Sequence, residues 1–186
     1  MTMFRGIIEA LNVLVSHGHG PGGTPLPLTL DGEGRLRTTT QGALFVTEQV
    51  QAPFGATSGA LDANDAVGNM MEFTVPKMGR ILSIKFIDPA DQTSALTAHV
   101  YSKPFVAAAS DAAYTIADED AINWVTNVTP TMVDEGGSKV GEVIDIDSEY
   151  FSANERLYVQ LSTSGTPTFA QATMPLLQLY ILPLGP

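Results

Sequence analysis

The sequence contains no cysteine. That absence excludes a disulfide framework, thiolate zinc sites, iron–sulfur ligation and every cysteine nucleophile, and leaves packing or partners to hold the chain together. Charge is scarce as well, at 16% of residues, and basic charge scarcer: nine Lys and Arg stand against twenty Asp and Glu, for a net charge of −11. A surface of that sign repels phosphate polyanions and anionic lipid, so nucleic acid and membrane are not the expected partners. No apolar run approaches the roughly 18 residues that span a bilayer. The chain reads as soluble. Met1–Ser16 is interrupted by Glu9 and Asn12 and is not followed by a small-residue cleavage site, so no signal peptide is expected.

What is present is core material. Hydrophobic residues make up 44% of the 186, far from a disordered composition and enough for one folded domain plus an arm. Phe4, Ile7, Ile8, Leu11 and Val15 fall at helical spacing, although Gly6–Ile8 and Val13–Val15 would serve equally in a strand. The glycines and prolines of Gly18–Pro27 then mark a linker. Leu26–Leu30, Arg35–Thr40 and Ala43–Gln49 are β-prone pieces separated by glycine turns, which predicts small hairpins. Residues 1–53 are therefore expected to be an arm that packs on something else, and residues 54–186 a β-sandwich domain.

The pattern is regular beyond residue 54. Met70–Val75, Arg80–Asp88, Leu96–Ser102, Val140–Asp147, Arg156–Ser162 and Leu176–Leu182 are rich in Val, Ile, Leu, Phe and Tyr and predict strands. Leu82, Ile84 and Phe86 alternate with Ser83 and Lys85, and Ile144 and Ile146 with Asp145 and Asp147. Alternation of period two buries one face and wets the other, as in stacked antiparallel sheets. One short helix is predicted over Glu119–Val125, with Asp118 as N-cap and Ile122 and Val125 facing inward. The fold class predicted is all-β, an antiparallel sandwich with one short helix and an extended N-terminal arm.

Candidate chemistry is thin. The glycines of Gly18–Gly23 match dinucleotide-loop spacing, but Pro25 and Pro27 prevent the helix that would hold a pyrophosphate. His17 and His19 lie in the linker and His99 on a predicted strand, too few and too scattered for a metal site. Asp118–Asp120 reads as helix capping, Asp134–Glu135 as solvated charge, and Asp145 and Asp147 as the wet face of a strand, in place of a glycosidase pair or a calcium loop. Ser162 and Ser164 have no sequence-evident His and acid partners, and the Asn127–Thr129 sequon carries little weight without a secretory signal. No catalytic residue, cofactor or metal is assigned. Arg35 and Arg37 share a strand face in the arm and suit docking to an acidic partner, while Trp124 with Tyr150, Phe151 and Tyr158 could stack on sugars but more often would pack a core.

Ser58–Phe73, Gly79–Asp88 and Leu96–Tyr101, followed by Asp111–Asp120, Leu157–Phe169 and Leu176–Leu182, together resemble a family of tailed-phage virion proteins similar to head-decoration, or cement, proteins. The resemblance covers residues 57–182 and rests on strand and turn motifs. It implies a sandwich of jelly-roll type, no enzymatic activity, and a place on the capsid exterior after assembly in the host cytoplasm. The implied partners are the major capsid protein and further copies of the chain, in a homo-oligomer expected to be a trimer. Two departures stand out: Val106–Ser110 replaces a longer polar loop, and the arm before residue 54 is not a constant part of the pattern. The surfaces expected to dock are in the arm, with Phe4, Ile7, Arg35, Arg37 and Phe45 as candidates. The rival expectation is a tail, head-spike or baseplate protein that binds a host surface or glycan through loops such as Pro89–Ala95 and Phe105–Tyr114. A sandwich-borne glycan hydrolase is a third.

Overall fold

A computed structural model describes residues 43–55, 60–92 and 95–184, together with the short strands β1 (Thr29–Leu30) and β2 (Leu36–Arg37). The chain divides into two compact units, Met1–Thr40 and Gln41–Pro186. In the first, β1 and β2 pair antiparallel, Thr29 opposite Arg37, as the glycine turn between them predicts.

The second unit is built from two antiparallel sheets. One runs β5 (Ala66–Thr74), β12 (Arg156–Thr163), β7 (Leu96–Tyr101), β8 (Trp124–Val128). At the centre of the other lie β13 (Leu176–Pro183) and β6 (Met78–Asp88). Strands β3 (Phe45–Val46) and β4 (Val50–Gln51) flank β13, while β10 (Lys139–Val143) and β11 (Ser148–Phe151) flank β6, with β9 (Val133–Asp134) beyond β10. Because β3 and β4 follow one another along β13, and β10 and β11 along β6, each pair is one interrupted strand. Counted so, the first, eighth, third and sixth strands make one sheet and the second, seventh, fourth and fifth the other. That order is the double Greek key of a jelly roll.

The inward faces meet in a single apolar cluster. Met71 and Phe73 of β5 and Val159 and Leu161 of β12 pack with Ile84 and Phe86 of β6 and Leu177 and Leu179 of β13, all fully buried. Each such side chain contributes about 1.5–3 kcal/mol by leaving water. This is the sandwich expected from period-two alternation.

Several expectations are corrected. Residues 45–51, assigned to the arm, are strands of the sandwich: β3 pairs Val46 with Tyr180 and β4 pairs Val50 with Leu177. The helix is one turn, Asp118–Ala121, with Ala117 at the N-cap position and no side-chain cap. Trp124 and Val125, read as its end, open β8 (Trp124–Val128), because Trp, Val and Thr suit a pleated surface better than a helix, and Ile122, expected to face inward, is 86% exposed. In β6 the phase slips: Ile81 and Ile84 are buried and Leu82 half-buried, since the register against β13 shifts between Tyr180 and Ile181. The predicted strand Val140–Asp147 stops at Val143, and Asp145 and Asp147 take φ of 56° and 53°, a left-handed backbone that aspartate tolerates better than most residues. Ile144 is consequently exposed, whereas Ile146 still packs on the core.

Candidate interaction surfaces

The segment between β7 and β8 decides what one sheet can present. Residues 103–117 fold back over the outer face of β7 and β12. Gln160, fully buried on β12, holds this segment by its amide: Nε2 donates to the carbonyls of Ala108 at 2.7 Å and Gly68 at 3.2 Å, and Oε1 accepts from the Ala108 N–H at 3.1 Å. The Ala66 N–H donates to the Ala112 carbonyl at 2.8 Å, the Ala66 carbonyl accepts from the Asp111 N–H at 3.2 Å, and Asp65 and Ala113 form a bridge. Phe105 packs on Tyr101 and Tyr158 in a second small apolar cluster. The sheet's outer face is thus occupied by the chain's own loop.

His99 lies in this layer. Its ring stacks on Tyr114, centroids 3.9 Å apart and planes 15° from parallel, and its Nε2 is 2.9 Å from the Ser162 hydroxyl. The Tyr114 hydroxyl in turn meets that of Tyr101 at 2.7 Å. Burial pulls the imidazole pKa down to about 4 and, with the Tyr101 hydrogen bond, pushes the Tyr114 phenol well above its usual range. A serine beside a histidine is half of a nucleophile constellation. A ring with so low a pKa is a weak proton acceptor at neutral pH, and the flat face of Tyr114 lies on it. The arrangement clamps the loop to the sheet.

The acidic groups singled out in the sequence do not converge. Asp120 accepts from the Val106 N–H at 3.3 Å, Asp134 from the Gly136 N–H at 2.8 Å within its turn, and Asp147 pairs with Arg80 at 3.0 Å. Glu149 completes that pair on Arg80. Among the described residues no three His, Asp or Glu side chains are placed to hold a metal ion, and no helix is long and apolar enough to cross a membrane.

Of the docking candidates, Phe4, Ile7 and Arg35 lie outside the described residues, as do His17 and His19. Arg37 is in β2. Phe45 is half-buried against the sandwich core.

Among the described residues, two clefts stand open. At the end carrying the β5–β6, β7–β8 and β11–β12 connections, Ser102–Pro104 and Phe151, Ala153 and Asn154 line a shallow cleft of about 240 Å³. Lys77 sits over the Phe151 ring at 5.7 Å, and Val106, Ile122, Trp124 and Phe151 are each more than half exposed at this end. The second surface is a cleft of about 410 Å³ between β3–β4 and β5, lined by Phe45–Glu48, Val50 and Glu72–Thr74. Sequence reading missed it, because it forms only when two strands from opposite sheets come together, and neither Glu48 nor Glu72 carries a local signal.

The fold defines a jelly-roll protein, and the described residues of its sandwich form a cleft at one end and another along an edge. No protein-family model matches the chain, and no curated protein does either.

Proposed function

We propose that the chain is a structural protein of a tailed-phage virion, a head-decoration protein on the capsid exterior that is assembled in the host cytoplasm. It binds the major capsid protein and copies of itself, with a trimer as the expected ring, and turns nothing over. The observation that carries this reading is the architecture: a jelly-roll block complete from residue 45 onward, preceded by a separately organised unit of 40 residues. Jelly rolls recur in viral capsid and lectin domains. A block of this kind with a leading segment can staple neighbours, and several weak contacts acting together multiply their affinities. The net charge of −11 favours a protein partner over nucleic acid or an anionic membrane. The test is a reconstruction of the purified particle. Copies distributed over the whole shell are the expected result, and absence of the chain from particles overturns the proposal.

A second reading places the protein at the tail, a head spike or the baseplate, bound to a host surface or glycan. What favours it is the end of the sandwich where Trp124 and Phe151 stand exposed beside the smaller cleft, since aromatic faces and a few polar groups are what sugar recognition uses. A handful of copies at one vertex, with hits on a glycan array lost on Trp124→Ala, supports this reading over decoration.

A further inference from the structure

We propose that the cleft between β3–β4 and β5 receives Phe4–Ile8 of a second copy of the chain, added as a strand. This rests on the self-associating reading above and names its receiving site.

The walls of the cleft are two sheet edges. Strands β3 and β4 pair only with β13 among the described residues, and the Met71–Thr74 stretch of β5 pairs only with β12. Unpaired edge N–H and C=O groups are a template for an incoming strand, and natural proteins use them for strand addition. The floor is apolar, built from Phe73 of the core with Phe45 and Val50, while Val46 is 42% exposed at the lip. An added strand would shield these side chains.

Charge selects the occupant. Glu48 and Glu72 are both exposed at the cleft; Glu72 is paired with Arg156 at 3.2 Å, which leaves Glu48 as the carboxylate an incoming segment has to match. In a chain of net charge −11, a segment that approaches this carboxylate is favoured by a cation of its own. Arg5 is the one Lys or Arg before Arg35, and it is bracketed by Phe4, Ile7 and Ile8. Added as a strand, the segment would put Phe4 and Ile8 on one face, toward the cleft, and Arg5 on the other. Reach is not limiting: the 34 residues between Ile8 and Ala43 extend to about 110 Å or more at roughly 3.3–3.6 Å each, ample to pass to a neighbouring copy.

The chain has no native cysteine, so introduced thiols report unambiguously. Full-length Ile7→Cys and Val46→Cys chains are co-expressed, treated with a short bis-maleimide and weighed before and after denaturation. The expected result is a cross-linked pair containing one chain of each kind. It is lost when Arg5→Glu is added to the Ile7→Cys chain, and regained when Glu48→Arg is added to its partner. An oligomer that yields no mixed pair overturns the cleft assignment and leaves self-association standing. A monomer overturns both. A double variant, Ile7→Cys with Val46→Cys in one chain, that cross-links only within itself also overturns the proposal.

Discussion

At the scale of single residues, the buried polar groups are the ones that respond to solution conditions. His99 is held neutral between Tyr114 and Ser162, with its pKa pulled down from the usual 6.5 to about 4 by burial. The unfolded chain therefore binds a proton on this residue at a higher pH than the folded chain does. Between about pH 6.5 and 4 the unfolded state carries the extra proton, so stability rises with pH across that window and is lost as pH falls through it. Asp88 works in the opposite sense, since desolvation raises its carboxyl and the fold then favours its protonated form, although the Gln92 and Ala90 N–H groups oppose the rise. Both contributions enter the pH dependence of stability, and a variant isolates that of the histidine. Urea midpoints taken from pH 7 to pH 4 are expected to fall more steeply for the parent than for His99→Gln. Identical slopes would mean that the histidine is hydrated in the folded state.

At the scale of elements, the bulge in β5 joins the covering loop to the edge. Met71 pairs with Val159 but Val67 with Leu161, so β5 carries extra residues around Gly68. Gly68 has φ of +70°, and a Cβ there would lie 2.6 Å from the Pro53 carbonyl oxygen and 2.8 Å from Met174 Cε. Glycine is needed both for the conformation and for the space. Gly68→Ala is expected to cost about 1–3 kcal/mol from the backbone strain alone, read as a lowered urea midpoint, and to speed proteolysis within residues 103–117, because the carbonyl of Gly68 is one of the groups that Gln160 holds. An unchanged midpoint would show that the bulge relaxes freely.

The same elements show what the sequence made legible. Strands β5, β6, β7, β12 and β13 were readable from β-branched and aromatic runs, because a strand packed on one face repeats every second residue. The slip at Leu82 was not, since a bulge is a property of the partner's register. Nor was β8, which is too short to show a period and follows acidic residues that resemble a helix start. The clamp of His99, Tyr114 and Ser162 was equally hidden: its members are brought together by a loop folding back, and nothing near any one of them announces the other two.

At the scale of the whole molecule, the place where the chain divides sets the interpretable experiment on function. Residues 1–40 form a unit by themselves, but residues 45–51 close one edge of the sandwich. Thr47 is tied to β13 by its backbone N–H on the Leu179 carbonyl and by its hydroxyl, which accepts from the Leu179 N–H, each at 3.0 Å. The Gln178 side chain donates to its carbonyl at 2.9 Å. A truncation that starts the chain at Gln41 keeps all of this and is expected to unfold cooperatively with a urea midpoint close to that of the parent. One that starts at Ala52 strips β13 of its neighbour on the side away from β6 and uncovers the Phe73 side of the core, at a cost of about 3–5 kcal/mol, the scale of deleting a large core side chain. If the leading unit docks the protein to the capsid, the shorter truncation loses particle binding while its fold persists. Loss of binding in the longer one alone would mean that the sandwich edge makes the contact. Retention of particle binding by the chain starting at Gln41, checked by co-sedimentation with capsids, would move docking from the leading segment to the jelly roll.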